Sequence, residues 1–129
     1  MICKLFLNFA TKISRMEFDR KIKVIMSSIA EDFLDSLRQE VKDKILFNID
    51  KVANGCVNKD LFKKLSGTDI WEFRTKYKGL QYRLLAFWDT RQQTLIVATH
   101  GFIKKTQKTP NKEIVRAEEI MNEYFKLNK

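Results

Sequence analysis

The sequence predicts an α+β fold in which one sheet packs on helices, and three observations support this prediction. Apolar residues repeat at the helical period in two stretches of the first half and in one stretch near the C terminus. Between them the period changes to two over three closely spaced stretches, as in an antiparallel meander. A chain of 129 residues fits a single domain with one core. We therefore expect the order strand, helix, helix, three strands, helix.

The first predicted elements are a short strand and two helices. The stretch Lys21–Met26 alternates apolar and polar residues, which is typical of a strand. Ser27–Ser28 offers helix caps, and the helical period that follows runs to roughly Arg38. A second helix covers Val41–Val52, and Asn54–Gly55 supplies the left-handed conformation at which helices commonly end.

The second half is predicted to hold the sheet meander and the last helix. Residues 56–69 form a polar link. Alternation predicts strands over Ile70–Thr75, Tyr82–Trp88 and Thr94–Phe102, with turns between them. Thr109–Pro110 has the form of an N-cap followed by proline at the first helical position, so an amphipathic helix should begin there.

Residues 1–19 are separated as an N-terminal extension from the domain, residues 20–129. The extension has apolar residues at helical spacing with basic residues between them: Ile2, Leu5, Phe6, Phe9 and Ile13. A short amphipathic helix is one interpretation, and an upstream extension before a start at Met16 is another. A signal peptide is not expected, because the apolar core is short and a small-residue cleavage site is missing. Membrane-surface association through residues 1–15 is a third, weaker alternative.

The composition indicates an acidic partner. The formal net charge is +9, and residues 70–129 hold twelve Lys and Arg against six Asp and Glu. Nucleic acid is the usual polyanion for such a surface, with an acidic protein or an anionic membrane as rivals. The sequence has two distant cysteines, Cys3 and Cys56, and a single histidine, which are too few ligands for a zinc site and indicate no disulfide framework. We expect no metal or cofactor. Two isolated cysteines suit a reducing cytosol.

Charged residues lie inside two of the predicted strands. Glu72 and Arg74 share one face of the first strand, and Arg83 lies within the second. A buried arginine needs a partner, so a salt bridge from Glu72 to Arg74 or Arg83 is the structural interpretation. The functional interpretation is a paired phosphate site, since guanidinium groups match phosphate oxygens with two hydrogen bonds. Tyr82 offers a ring on which a base can stack.

The stretch HGFIKKTQKTP, His100–Pro110, contains the end of the last predicted strand and continues with lysines and without an acid. The structural interpretation is a solvated lysine cluster preceded by a hydrogen-bonded strand histidine. The functional interpretation is that Lys104, Lys105 and Lys108 contact RNA phosphates at the mouth of a site.

Four motifs occur in a characteristic order: FLDSL, LFKKLSGTDIWEFR, YRLLAFW and HGFIKKTQKTP, which begin at Phe33, Leu61, Tyr82 and His100. On these motifs the sequence, from roughly Lys21 to Tyr124, resembles the RelE/HigB superfamily of bacterial toxins, in particular its phage-derived HigB-like branch. It implies the toxin of a type II toxin–antitoxin pair with a RelE-like fold. Such toxins cleave messenger RNA in the ribosomal A site and are silenced by a cognate antitoxin, often a helix-turn-helix DNA-binding protein.

The resemblance also implies a mechanism without a metal, in which a ribose 2′-OH attacks the adjacent phosphorus. Arg83 matches the arginine of the family's Tyr-Arg strand motif and is the first choice for phosphate stabilisation, with Arg74 second. Neither can be the base, because arginine stays protonated. The acid and base stay open, and the candidates are Glu72, Lys104, Lys105, Tyr82 and His100.

Other lysines are interpreted as sequence-blind electrostatic tethers to messenger or ribosomal RNA: Lys63, Lys64, Lys108 and Lys112. Positioning by the ribosome is expected to supply part of the catalysis. The alternative function is a non-catalytic basic module with the same fold, which binds RNA or protein in a regulatory complex. Both alternatives predict affinity for RNA and for an acidic protein, and we expect a cytoplasmic protein.

Overall fold

A computed structural model describes residues 21–56, 58–92 and 95–128. The expectations for residues 1–19 lie outside the described residues. The helices and strands are β1 Lys23–Met26, α1 Ser28–Asp35, α2 Gln39–Ala53, β2 Phe62–Lys64, β3 Trp71–Tyr77, β4 Leu80–Trp88, β5 Leu95–Lys104 and α3 Asn111–Leu127.

One mixed sheet has the strand order β1-β5-β4-β3-β2. β3, β4 and β5 form the predicted antiparallel meander, and β1 pairs parallel with β5. The α+β prediction is thus confirmed. The interpretation of residues 56–69 as a link without a strand was wrong, because β2 adds an antiparallel edge strand beside β3. β2 has only three residues, and two of them are lysines, so its alternation is too short to recognise.

Different helices pack on the two faces of the sheet. α1 and α2 pack on one face, where the larger apolar cluster includes Phe73, Leu84 and Ile96. α3 packs on the other face through Ala117, against a smaller cluster that includes Phe87. Alternation along each strand sends neighbouring side chains to opposite clusters.

The helix ends confirm two of the predicted caps and correct a third. Ser27 Oγ accepts the Ala30 N–H at 3.0 Å, as expected of an N-cap. Gly55 follows α2 with φ 97°, the left-handed value that glycine tolerates. The prediction of Thr109 as the N-cap of α3 was wrong: Pro110 occupies that position, and the Thr109 hydroxyl donates to Glu72 Oε2 at 2.7 Å instead.

At Gly101, β5 lies very close to α1. Among the described glycines, Gly101 has the least space for a side chain. A Cβ placed on Gly101 would lie 2.2 Å from Phe33 Cδ2. We expect Gly101→Ala to lower the free energy of unfolding by about 1–3 kcal/mol, because the ring must move in a packed interface. Urea denaturation measures the loss, and Phe33→Leu in the same background should recover part of it. Equal midpoints for wild type and Gly101→Ala would contradict this packing.

A buried carboxylate fixes α3 to the turn after β4. Asp89 accepts hydrogen bonds from Arg91 Nε at 3.1 Å, Arg91 Nη2 at 3.0 Å and the Tyr124 hydroxyl at 2.9 Å. The Arg91 hydrogen bonds hold the pKa of Asp89 down, at about 2. Burial, followed by the bond to Asp89, raises the pKa of Tyr124 to about 12.

The depressed pKa predicts acid sensitivity. The unfolded carboxyl has a pKa near 3.9, so the stabilisation by Asp89 is complete above about pH 4 and is lost as the pH falls toward 2. Asp89→Asn should lower the melting temperature at neutral pH and flatten its decline between pH 4 and 2. Asp69→Asn, an exposed control, should keep the wild-type profile. If the melting temperature of Asp89→Asn fell as steeply as that of the wild type between pH 4 and 2, the assignment of this acid sensitivity to Asp89 would be contradicted.

Candidate functional site

The candidate site lies on the α3 face of the sheet, beyond the part that α3 covers. Arg74 of β3 is opposite Arg83 of β4, and Gln81 of β4 is opposite Lys104 of β5. These four side chains share one face, because each strand alternates and the paired positions are aligned. Lys63 of β2 is opposite Glu72 and extends the same row to the sheet edge.

A bulge in β5 brings Lys104 onto this face. Ala98 pairs with Ala86, but His100 pairs with Leu85, so Thr99 is the extra residue between them. Val97 lies in the apolar cluster of the α3 face. Regular alternation from Val97 would place Lys104 on the opposite face. The extra residue shifts the alternation by one position, so Lys104 lies on the α3 face.

Glu72 forms the centre of the site. It is 2% exposed, and its Oε1 lies 3.4 Å from both Arg74 Nε and Arg83 Nε. Its Oε2 accepts the Thr109 hydroxyl at 2.7 Å. The predicted salt bridge therefore involves both arginines. The carboxylate balances one of the two positive charges and leaves the other available to an anion.

Arg83 lies beneath the surface. It is 3% exposed, and it donates from Nη2 to Gln81 Oε1 at 2.5 Å and from Nη1 to the Tyr82 carbonyl at 3.2 Å. Its Nε has no hydrogen-bond partner of good geometry, although Glu72 is near. Burial lowers the pKa of Arg83, and the neighbouring Glu72 carboxylate raises it. The side chain is a support for the floor of the site.

Arg74 reaches the solvent between two clefts. Its side chain is 26% exposed, and its Nη1 donates to the Lys59 carbonyl at 2.9 Å. The larger cleft, of about 610 Å³, is lined by Arg74, Gly79, Leu80, Gln81, Lys104, Lys105, Thr106 and Gln107. The smaller cleft, of about 230 Å³, is lined by Asp60, Arg74, Thr75, Lys76, Gln81 and Arg83. Arg74 and Gln81 belong to both.

The surroundings of Lys104 lower the pKa of its amine. Burial is the first cause that lowers the pKa of Lys104, and the positive charges of Arg83, Arg74 and Lys63 act in the same direction. The Glu72 carboxylate opposes the shift by favouring the ammonium form. The neutral amine is thus more populated than in an ordinary lysine.

Two of the predicted RNA contacts lie in the protein interior. His100 is 1% exposed, with Nε2 3.0 Å from Glu113 Oε1, and burial lowers its pKa. Tyr82 is 6% exposed and belongs to the apolar cluster under α1 and α2. Neither side chain reaches the clefts, so we do not carry either into the proposed mechanism.

The predicted lysines are distributed around the site. Lys105 lines the larger cleft, and Lys108 and Lys112 are exposed between β5 and the first turn of α3. Lys63 is exposed on β2 in the row of Glu72, whereas alternation turns its neighbour Lys64 toward the opposite face. Lys105 therefore lines a cleft and Lys63 lies in the same row as the site, whereas Lys64 does not.

Sequence reasoning missed two residues of the site, Gln81 and Thr109. Gln81 precedes Arg83 by two residues in one strand, a spacing that places both on the same face. Thr109 had the pattern of a helix cap, and no sequence signal indicated that its hydroxyl would bind Glu72.

The described residues contain no group of three or more His, Cys, Asp or Glu side chains that could hold a metal ion. Within residues 21–56, 58–92 and 95–128, no helix is both long and apolar enough to cross a membrane.

Comparisons with known proteins identify the family. No curated protein sequence matches this chain. Among solved structures, a chain of the toxin–antitoxin complex RelBE2 from Mycobacterium tuberculosis matches with 16% sequence identity and a TM-score of 0.46, over 68% of this chain and 97% of that one. The family model described as "Phage derived protein Gp49-like (DUF891)" matches residues 32–122, which include β2 to β5 and the whole candidate site. The chain therefore belongs to the phage-derived Gp49-like family.

Proposed function

We propose that this protein is the toxin of a type II toxin–antitoxin system and that it cleaves messenger RNA on the ribosome. One observation carries the proposal: Lys104, a lysine with a lowered pKa, shares an open basic cleft with Arg74. A base and a phosphate-binding cation thus lie on one surface. RNA cleavage through the 2′-OH requires this combination.

In the proposed reaction, the neutral Lys104 amine takes the proton of a ribose 2′-OH. The 2′ oxygen then bonds to the adjacent phosphorus, and the bond from phosphorus to the 5′ oxygen breaks. The products are a 2′,3′-cyclic phosphate and a 5′-hydroxyl. Arg74 stabilises the negative charge that develops on the phosphate oxygens. We assign the proton for the departing 5′ oxygen to the ammonium of Lys105, which lines the same cleft.

Glu72 and Arg83 act from beneath this surface in the proposal. Both oxygens of Glu72 face partners, Oε1 the two arginines and Oε2 Thr109, so Glu72 is poorly placed to take the proton. Its charge instead limits how far the pKa of Lys104 falls. Arg83 holds Glu72 and Gln81 in place and adds positive potential under the phosphate.

The proposed partners of the protein are the ribosome, with its messenger RNA, and an antitoxin. Lys63, Lys108 and Lys112 are exposed cations, and we assign them the role of electrostatic tethers to RNA. The A site positions the scissile phosphate, which supplies part of the rate enhancement. A HigB-like toxin would have a helix-turn-helix antitoxin as its partner. The mechanism assigns no step to a metal ion, and translation places the protein in the cytoplasm.

Arg74→Ala tests the proposal in cells. Wild-type expression should stop growth and cut translated messages at discrete positions, which primer extension reveals. Arg74→Ala should reduce cutting by roughly a hundred- to a thousandfold, since one preorganised donor to the transition state is lost. Lys76→Ala, a cation of the smaller cleft alone, is the matched control and should cut nearly as wild type does. Growth arrest by wild type with intact messages would contradict the proposal.

A second candidate function is the non-catalytic basic module. The burial of Arg83 favours it, because the arginine that the family resemblance ranked first contacts Gln81, Tyr82 and Glu72 in place of solvent. Such a module would bind RNA with the same salt dependence but leave messages uncut. The presence or absence of cleavage in the primer-extension experiment therefore decides between the two.

A further inference from the structure

We infer that Gln81 is an RNA-binding residue of the larger cleft and that the buried Arg83 is a positioning residue that orients it. The ligand is a non-bridging phosphate oxygen of the RNA backbone. The identity of this ligand rests on the proposed function. The placement of Gln81 rests on its own contacts.

The contact with Arg83 determines which end of the Gln81 amide faces the cleft. Arg83 Nη2 lies 2.5 Å from Gln81 Oε1. A guanidinium carries only hydrogen-bond donors, so the oxygen of the amide, and not its nitrogen, must face Arg83. The Gln81 NH₂ group is thereby directed away from Arg83. Within the described parts of the chain, this NH₂ group has no hydrogen-bond partner.

Arg83 is held firmly enough to impose this orientation. It is 3% exposed, with Nη1 bonded to the Tyr82 carbonyl and Nε beside Glu72. A flip of the Gln81 amide would bring an NH₂ group against the guanidinium and leave a buried donor without its acceptor. Such a loss is costly in a buried site, so the flipped amide is disfavoured.

The surroundings of the NH₂ group indicate a phosphate oxygen as its acceptor. Gln81 lines both clefts together with Arg74, and its register partner on β5 is Lys104. Two cations flank a neutral donor, and a phosphate that binds them presents several acceptor oxygens. A backbone contact of this kind positions the strand without reading its sequence.

Two substitutions of Gln81 separate a contact with RNA from support of Arg83. Gln81→Glu keeps an oxygen for Arg83 Nη2 but replaces the NH₂ donor with an acceptor. Gln81→Ala removes both. If Gln81 only supports Arg83, Gln81→Glu should weaken RNA binding no more than Gln107→Glu, which adds the same charge to the same cleft. If Gln81 donates to phosphate, Gln81→Glu should bind RNA more weakly than both Gln81→Ala and the charge-matched Gln107→Glu.

The experiment measures binding of a short single-stranded RNA by fluorescence anisotropy at fixed salt. We expect Gln81→Ala to weaken binding several-fold and Gln81→Glu to weaken it by roughly tenfold or more. Gln107→Glu adds the same charge to the same cleft and should have a smaller effect than Gln81→Glu. Wild-type binding by Gln81→Ala, equal effects of the two glutamates, or no RNA binding by the wild type would overturn the inference.

A double mutant tests the positioning role of Arg83. Arg83→Lys keeps the charge but loses the fork that holds Gln81, so it should weaken RNA binding in the wild type and have little further effect in Gln81→Ala. A purely structural Arg83 would give additive losses, which would overturn the positioning role. None of these binding measurements requires cleavage. An RNA that is bound through Gln81 but never cut would refute the proposed function and leave the inference standing.

Discussion

Lys104→Met should lower the rate of messenger RNA cleavage by roughly a hundred- to ten-thousandfold, the range expected when a general base is lost. The physical reason is the environment of the amine. Burial lowers the pKa of Lys104, Glu72 opposes the shift and three neighbouring cations add to it, so the neutral form that can accept a proton is more populated than in an ordinary lysine. Single-turnover cleavage on ribosomes with a defined codon in the A site measures the effect.

Lys104→Arg is the matched control for the charge of this residue. Arginine keeps the cation that attracts RNA, but it stays protonated and cannot serve as a base. We expect Lys104→Arg to bind RNA nearly as wild type does and to cleave about as poorly as Lys104→Met. Cleavage by Lys104→Arg at the wild-type rate would show that Lys104 contributes only its charge.

The wild-type rate should also depend on pH in a defined direction. A base must be deprotonated, so the rate should rise with pH and level off above the lowered pKa of Lys104. Since Glu72 raises that pKa, Glu72→Gln should move the rising limb to lower pH.

Glu72→Ala should have the largest effect on stability, a loss of about 3–5 kcal/mol in the free energy of unfolding. The carboxylate is 2% exposed and lies between Arg74 and Arg83, and its removal leaves the buried Arg83 without a counter-ion. It also removes the acceptor of the Thr109 hydroxyl, which connects the start of α3 to the sheet. Urea denaturation measures the change.

Arg83→Met in the Glu72→Ala background tests the cause of this loss. The double mutant buries no unpaired charge, so it should be more stable than Glu72→Ala alone. Glu72→Gln keeps the volume and an acceptor for Thr109 and should be intermediate. If Glu72→Ala unfolded at the same urea concentration as the wild type, the proposed stabilising role of this carboxylate would be contradicted.

Alternation and cap residues predicted most of the fold because each is a local signal. Ser27 caps α1 and Gly55 ends α2 as expected, and β3, β4 and β5 lie close to the predicted bounds. β2 escaped prediction because three residues give no clear period. Thr109 was misread because its pattern fits a helix cap, whereas its preferred acceptor, Glu72, lies 37 positions earlier in the sequence.

The candidate site was harder to predict because it depends on tertiary detail. The sequence placed Glu72 and Arg74 on one face of a strand and offered Arg83 as an alternative partner of Glu72, and in the structure the carboxylate contacts both arginines. It gave no indication of the bulge at Thr99, without which Lys104 would lie on the other face. Nor could it show how deeply Arg83 is buried, since that depth depends on how the folded chain packs around the guanidinium.

The proposed chemistry is tested most directly by a programmed ribosome carrying a message with a single 2′-deoxy nucleotide on the 5′ side of the cut. Because the 2′-OH is the proposed nucleophile, the substituted message should stay intact, while the all-ribose message yields a 2′,3′-cyclic phosphate end. Cleavage of both messages at the same position and rate would contradict the mechanism that we assign to Lys104 and Arg74.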